Sequence, residues 1–236
     1  MPFDPLKLAR ETGKVVSKGE LRKYYRFRPA KFYGGIATAD CCGCCLRCIY
    51  CWSRAPLRHP ERVGRFYNPK QVFDKLNTIA QKHGYQSLRI SGNEPTIGKQ
   101  HLLHLLKLIQ QTDYRFILET NGILLGSDPS YAREVAGFDN VHVRVSLKGC
   151  DAEQFSELTG AKPEAFELQL EALRNLLNFG GSCHAAVMEE FAPRERFGGL
   201  KQRLAAIDPS LVRELEFEHL IYYKHVVERL KRSGLL

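Results

Sequence analysis

Six short segments rich in apolar and β-branched residues alternate with helical patterns along this chain of 236 residues. The predicted strands are residues 32–38, 87–91, 115–118, 141–147, 184–188 and 212–217. Strands that each lead into a helix are typical of a parallel sheet with crossover connections. The alternation therefore predicts an α/β fold, as either a doubly wound open sheet or a curved, incomplete barrel. In both architectures ligands bind at the carboxyl ends of the strands.

The size and composition suit a single globular domain, because 44% of the residues are hydrophobic and charges of both signs are mixed with them. We expect one domain over residues 32–236, preceded by a basic segment at residues 1–31. The sequence has no run of about 18 apolar residues and no secretory leader pattern, so neither membrane association nor secretion is expected. The predicted location is the cytoplasm, where thiols stay reduced.

Six of the eight cysteines lie in one run, residues 41–51, soon after the first predicted strand. Adjacent cysteines rarely reach the geometry of a disulfide. A structural zinc site normally takes four ligands as two separated pairs, and no second pair of cysteines or histidines follows at that spacing. A site for an iron–sulfur cluster remains.

Two sets of three cysteines share the spacing C-x3-C-x2-C. The first set is Cys44, Cys48 and Cys51, and the second is Cys41, Cys45 and Cys48. Three thiolates on a four-iron cluster leave one iron without a protein ligand. A substrate can coordinate at that open position.

A polar row runs along the fourth predicted strand. His142, Arg144, Ser146 and Lys148 share one face, while valines and a leucine occupy the other. A strand covered on both faces should be apolar throughout. The row therefore predicts a wet, charged interior; the alternative is an edge strand with one face in solvent. Together with the net charge of +9, this basic row suits an acidic or phosphorylated substrate.

Polar turns follow two other predicted strands. Residues 91–96 read Ser-Gly-Asn-Glu-Pro-Thr, and residues 119–122 read Glu-Thr-Asn-Gly. Gly92 lets a ligand approach the backbone, and Glu94 can accept hydrogen bonds from an ammonium group. As bare patterns, both segments are also compatible with ordinary turns.

The cysteine spacing resembles the cluster motif of the radical S-adenosylmethionine (radical SAM) superfamily. In that superfamily the amino and carboxylate groups of SAM occupy the open iron of a [4Fe–4S] cluster. Tyr50 stands where the motif has an aromatic residue. The resemblance therefore implies that Cys44, Cys48 and Cys51 are the cluster ligands.

Three further segments resemble SAM-binding segments of this superfamily. Gly92-Asn93-Glu94-Pro95 is similar to a glycine-glycine-glutamate-proline segment that binds the SAM amino group, with asparagine replacing the second glycine. Glu119-Thr120-Asn121-Gly122 and Ser146-Leu147-Lys148 are similar to segments of glycyl-radical-enzyme (pyruvate formate-lyase) activating enzymes, which begin with aspartate. In those relatives the first segment lies beside SAM, and the lysine pairs with the SAM carboxylate.

The resemblance implies one cofactor pocket at the strand ends. Met188 ends the fifth strand and His219 follows the sixth. Both are expected to line the pocket, because a methionine can pack on adenine and a histidine can contact the nucleoside or substrate. No catalytic residue is assigned. The expected cofactor-binding residues are Tyr50, Gly92, Asn93, Glu94, Pro95, Glu119, Asn121, Ser146, Lys148, Met188 and His219.

The family resemblance also carries expectations about fold and reaction. It implies a TIM-like partial (β/α)6 barrel of parallel strands that holds a [4Fe–4S] cluster and SAM. The enzyme would cleave SAM reductively to a 5′-deoxyadenosyl radical, which abstracts hydrogen from a substrate. Its partners would be an electron donor such as ferredoxin or flavodoxin, and a substrate that is a protein, an RNA or a small acidic molecule.

Two other classes of protein fit parts of the sequence. One is a non-catalytic, cysteine-rich metal-binding protein. The other is an RNA-binding or RNA-modifying protein that uses residues 14–31, where lysines and arginines alternate with aromatic residues. No nucleic-acid-binding module accompanies this stretch, so we favour a segment that packs its aromatic residues against the domain.

Overall fold

A computed structural model describes all residues of the chain, 1–236. The strands are β1 Ser17–Lys18, β2 Leu21–Ala30, β3 Ile36–Cys41, β4 Arg65–Tyr67, β5 Ser87–Ser91, β6 Arg115–Thr120, β7 Val141–Leu147, β8 Ser182–Met188 and β9 Glu216–Glu218. The α-helices are α1 Pro5–Val16, α2 Arg54–Arg58, α3 Pro69–His83, α4 Lys99–Gln110, α5 Ile123–Ser127, α6 Pro129–Ala136, α7 Ala152–Thr159, α8 Phe166–Asn178, α9 Arg194–Ile207, α10 Ser210–Arg213 and α11 Lys224–Arg232. None of the helices is both long enough and apolar enough to cross a membrane.

All strands belong to one open sheet, in the order β1-β2-β3-β5-β6-β7-β8-β9, with β4 also paired to β2. Six of the strands run parallel to one another: β3, β5, β6, β7, β8 and β9. Strand β2 extends the sheet beyond β3 and is antiparallel to it. Six parallel strands joined by helices confirm the predicted α/β partial barrel.

Two predicted strands begin later than expected. The first begins at Ile36 because Tyr33, Gly34 and Gly35 have positive φ angles of 55°, 77° and 121°, so the chain turns before it enters β3. The last strand begins only at Glu216, because residues 210–213 form helix α10. The apolar residues that predicted a strand there include Leu211, which is buried in the core as part of that helix.

The two faces of the sheet differ because side chains alternate along each strand. The outer face is apolar and packs with helices such as α3, whose Val72, Leu76 and Ala80 are fully buried. The inner face carries Thr38, Asp40, Arg89, Ser91, Glu119, Arg144, Ser146, Glu216 and Glu218. Strand β7 lies between β6 and β8. Its polar row therefore faces the barrel interior, and the edge-strand alternative is wrong.

Interior charges are compensated in pairs and triads. Asp40 Oδ2 lies 2.6 Å from Arg26 Nε and 2.9 Å from Arg28 Nε. Arg144, only 6% exposed, contacts both Glu216 and Glu218 at 2.8 and 2.9 Å. A buried charge without a partner costs several kcal/mol, so these contacts make a polar interior tolerable.

The basic segment 1–31 contributes α1, β1 and β2, and so shares the sheet with the strands that follow. Tyr24 is 2% exposed, and its ring lies 5.7 Å from Phe27 and 6.4 Å from Tyr67. These aromatic rings pack inside the protein, as the packing alternative predicts. Arg22, fully buried, donates to the carbonyls of Val16 and Glu94 and ties this segment to the loop after β5.

His101 on α4 makes the stability of this contact region dependent on pH. Its Nδ1 lies 2.7 Å from the Glu20 carbonyl, and its Nε2 lies 2.9 Å from the Tyr24 hydroxyl. Burial lowers the pKa of His101 to about 4. Below pH 6.5 the unfolded chain binds a proton that the folded chain excludes. The free energy of unfolding therefore decreases as the pH is lowered from 6.5 to 4. At pH 5 it is about 2 kcal/mol lower than at neutral pH.

Urea unfolding at pH 7 and pH 5 checks this expectation. His101→Gln should lose less stability between the two pH values than the wild type. The control His104→Gln removes an imidazole on the same helix that is 43% exposed, so it should follow the wild type. Equal pH dependence in His101→Gln and wild type would contradict the assignment.

Candidate active site

A cavity opens at the carboxyl ends of the parallel strands. It is bordered by the cysteine loop after β3 and by the ends of β5, β6 and β7. Of the fourteen predicted site residues, eleven line it: Cys44, Cys48, Tyr50, Cys51, Gly92, Asn93, Glu94, Glu119, Asn121, Ser146 and Lys148. Residues from four separate loops thus meet in one place, as the strand-end rule predicts.

The two cysteine sets differ in where they lie. All members of the first set, Cys44, Cys48 and Cys51, line the cavity. Of the second set only Cys48 does so, while Cys41 and Cys45 are completely buried. No three side chains of metal-ligand type are placed to share one metal ion. A four-iron cluster binds each thiolate on a different iron, so its ligands need to surround a common space rather than converge on one point.

Gly92 and Asn93 fix the loop after β5 against the cysteine loop. Gly92 has φ of 100°, and a Cβ there would lie 3.0 Å from Cys41 N and 3.1 Å from Asp40 Cα, so only glycine fits without strain. Asn93 Oδ1 accepts a hydrogen bond of 2.8 Å from Gly43 N. A glycine at position 93 could not form this hydrogen bond, so the asparagine side chain holds the cysteine loop in place.

The Glu94 carboxylate is buried, with an exposure of 1%. It accepts hydrogen bonds from the backbone N–H groups of Thr96 and Asn121, at 3.1 and 2.8 Å. It also accepts from the hydroxyls of Thr96 and Thr120, at 2.6 and 2.7 Å. The carboxylate therefore joins the loops after β5 and β6, and four internal donors already occupy it.

Asn121 reaches from the loop after β6 to the cysteines. Its Nδ2 donates to Cys45 Sγ at 3.3 Å and to Cys44 Sγ at 3.6 Å. Gln169 on α8 holds this loop and the end of β7 together: it donates to the carbonyls of Asn121 and Ser146 and accepts from Lys148 N. Sequence reasoning missed Gln169, since a single glutamine in a helix gives no local signal.

Lys148 brings a positive charge to the cavity. Its Nζ donates to Ser146 Oγ at 2.7 Å, and that hydroxyl donates in turn to Glu218 at 2.9 Å. Burial raises the pKa of the Cys48 thiol to about 12, although the charge of Lys148 acts in the opposite direction. The half-buried ammonium is thus placed among the thiols and the strand-end residues.

Two buried polar atoms in the cavity wall lack partners. They are Asn93 Nδ2, a donor, and the hydroxyl of Tyr50. A buried polar group without a hydrogen bond is costly, so such atoms indicate that a ligand completes the site. Three free thiols, two unsatisfied polar atoms and one ammonium are a donor set that fits a [4Fe–4S] cluster with an amino-acid ligand.

Three predicted site residues lie outside this cavity. Pro95 is buried at the start of a 3-10 turn, Pro95–Ile97. Met188 packs against the small apolar cluster that contains Tyr50. His219 is 75% exposed and lies 3.4 Å from Glu189. His219 lines a neighbouring cavity, whereas Pro95 and Met188 do not.

Sequence reasoning left out six residues of the cavity wall. They are Leu46, Trp52, Leu57, Thr120, Arg144 and Glu218. Arg144 belongs to the polar row of β7, and Glu218 has the same inward parity on β9, so strand parity was the signal that identifies them.

A second cavity adjoins the first within the barrel. Trp52, Glu119, Arg144 and Glu218 line both. Arg26 and Arg28 also line the second cavity, and both guanidinium groups pair with the buried carboxylate of Asp40 behind the wall. Its other lining residues include the exposed rings of Phe32, Tyr33, Phe217 and Tyr223.

Comparisons with known proteins agree with this architecture. The family model described as "Radical SAM superfamily" matches residues 40–188, more than half of the chain. The GTP 3′,8-cyclase of Heliobacterium modesticaldum is 36% identical over 132 residues, which cover 54% of this chain and 37% of that protein. A probable GTP 3′,8-cyclase of Saccharolobus islandicus is 27% identical over 138 residues, 58% of this chain and 41% of that protein. The chain thus spans less than half the length of these curated relatives.

Solved structures show the same fold. Streptococcus suis SuiB bound to S-adenosylmethionine superposes with a TM-score of 0.61 at 17% identity, covering 81% of this chain and 43% of that one. A spore photoproduct lyase variant gives a TM-score of 0.63 at 16% identity, covering 90% and 64%. With the family match and the cysteine-lined cavity, these likenesses lead to one conclusion. The chain belongs to the radical SAM superfamily, whose members are enzymes that use a [4Fe–4S] cluster and S-adenosylmethionine.

Proposed function

We propose that this enzyme cleaves SAM reductively in the first cavity and abstracts hydrogen from an anionic substrate in the second. One observation carries the proposal: the three cysteines share a cavity with strand-end residues from β5, β6 and β7. A cluster held by Cys44, Cys48 and Cys51 would supply the one electron that reductive cleavage of SAM to methionine and a 5′-deoxyadenosyl radical requires.

The residues of the chain have binding and positioning roles in this proposal. Cys44, Cys48 and Cys51 hold the cluster, and Lys148 pairs with the SAM carboxylate. Asn121 keeps the Cys44 thiol in position through a hydrogen bond of 3.6 Å. Glu94 acts through its four internal hydrogen bonds, which hold the loops that frame the SAM site.

The second cavity supports a small anionic substrate with a planar group. The guanidinium groups of Arg26 and Arg28 share a single carboxylate, so this side of the cavity has one surplus positive charge for an incoming anion, while Arg144 with Glu216 and Glu218 leaves one surplus negative charge elsewhere in the wall. Exposed rings such as Phe32 and Tyr33 offer stacking surfaces. The curated relatives are named for GTP, which has both an anionic and a planar part.

Activation of a glycyl-radical enzyme is a second candidate function. It is favoured by the turn at residues 119–122 and by Lys148 at the end of β7. Under this alternative the second cavity would take a loop of a partner protein, and a glycyl radical in that partner, detected by electron paramagnetic resonance, would support it. The electron donor in either case is a low-potential carrier such as ferredoxin or flavodoxin.

Anaerobic reconstitution with iron and sulfide, followed by dithionite and SAM, tests the proposed function. We expect 5′-deoxyadenosine to form, and its absence from a fully reconstituted protein would refute SAM cleavage. Adding GTP as a probe substrate should raise the yield in wild type more than in Arg26→Ala. An equal response in the two proteins would argue against the anion site.

A further inference from the structure

A groove on the protein surface follows the cysteine loop on the side away from the residues of β5, β6 and β7. Five arginines line it: Arg47, Arg54, Arg58, Arg229 and Arg232. The one acidic side chain among its lining residues is Glu157. We call this surface the arginine groove.

The positive charges of the arginine groove are not neutralised by the protein. None of its five arginines forms an ion pair. Repulsion among like charges that lie close together destabilises the folded protein. The same charges attract a partner with an acidic surface.

Two of these arginines donate side-chain hydrogen bonds to backbone carbonyls of the cysteine loop. Arg47 Nη1 donates to the carbonyls of Cys44 and Leu46, at 2.8 and 2.9 Å. Arg229 donates to the carbonyls of Ile49 and Cys51. The groove floor is therefore the backbone that carries the predicted cluster ligands.

Cys48 connects the groove with the site. It lines the arginine groove on one side and the first cavity on the other. The proposed function consumes one electron for each SAM that is cleaved. On the basis of that function, we propose that the arginine groove binds an acidic one-electron carrier protein. The carrier is oxidised by one electron and the cluster is reduced by it; no covalent bond changes in either protein.

The composition of the groove favours a protein carrier over a nucleic acid. No phenylalanine, tyrosine or tryptophan lines it, so the one aromatic ring that it offers for base stacking is the imidazole of His59. Its apolar lining residues are Ile49, Leu57 and Leu158. An apolar patch within a basic surface suits the contact face of a protein whose rim is acidic.

The experiment uses the reconstituted enzyme and flavodoxin as the probe carrier. Arg54 and Arg58 are exposed on α2, and their side chains form no hydrogen bond or ion pair within the protein, so the variant is Arg54→Glu/Arg58→Glu. The matched control is Lys82→Glu/Lys107→Glu, two exposed lysines near the ends of α3 and α4, at the opposite end of the barrel. Affinity for flavodoxin is measured by calorimetry at low and high salt, and cluster reduction is followed by stopped-flow absorption.

We expect the groove variant to bind flavodoxin on the order of tenfold more weakly at low salt and to be reduced correspondingly more slowly. Dithionite, a small reductant, should support the same yield of 5′-deoxyadenosine in groove variant, control and wild type. Wild-type affinity and flavodoxin-driven reduction in the groove variant would overturn the proposal. So would loss of affinity for a single-stranded RNA probe with unchanged flavodoxin reduction. Failure of dithionite to yield 5′-deoxyadenosine in wild type would instead refute the proposed function, while the affinities would still decide the docking surface.

Discussion

Alanine at Cys44, Cys48 or Cys51 should abolish the bound four-iron cluster and reduce SAM cleavage to background. Each of these thiols lines the first cavity, and a cluster that loses one of three protein ligands has no replacement thiol on the cavity wall. In contrast, Cys41→Ala and Cys45→Ala should keep the cluster, because both side chains are fully buried and neither lines the cavity. Iron and sulfide content, together with visible absorption of the reconstituted proteins, measures the difference.

The Cys41 and Cys45 variants are the controls for general loss of stability. Removing a buried sulfur leaves a small cavity that costs on the order of 1–2 kcal/mol, which a domain of ordinary stability tolerates. Cys45 lies beside the Asn121 amide, so its variant also tests whether that contact supports Cys44. Cluster loss in Cys41→Ala with retention in Cys51→Ala would reverse the assignment of the two cysteine sets.

Local patterns predicted those parts of the fold whose signals are contained in one segment. The strands at residues 87–91 and 141–147 have the predicted bounds, because a run of apolar or alternating residues ends there at a turn. The first strand was misplaced because the two glycines after Tyr33 act through their dihedral angles, which a hydrophobicity pattern does not register. At residues 210–213, a buried leucine suits helix and strand equally well, and only tertiary packing decides between them.

The candidate site was predictable to the extent that strand ends and strand parity define it. Eleven of fourteen predicted residues meet in the cavity, and the polar row of β7 faces inward as parity requires. The contacts that hold the site together were not predictable. Asn93 binds Gly43, fifty residues away in sequence, and Gln169 binds two loops from a helix on the outside of the sheet. Such pairings depend on the assembled fold and leave no trace in local composition.

Removing the charge of Lys148 should weaken SAM binding without removing the cluster. Lys148 is half-buried, lines the cavity with the three cysteines, and is held 2.7 Å from Ser146 Oγ. If its ammonium pairs with the SAM carboxylate, Lys148→Ala loses a hydrogen bond between charged groups, worth about 1.5–3 kcal/mol. SAM affinity should therefore fall on the order of ten- to a hundredfold, as measured by equilibrium dialysis of the reconstituted protein.

Two control variants separate this effect from a general loss of charge or of packing. Lys82→Ala removes an exposed lysine of α3 and should bind SAM like the wild type, because exposed charges contribute little. Lys148→Arg keeps the charge but changes its shape, and should lie between wild type and Lys148→Ala. Iron content must stay at the wild-type level in all three variants, since none of them touches a thiol. Equal SAM affinity in wild type and Lys148→Ala, both with intact clusters, would show that the SAM carboxylate is bound by another group.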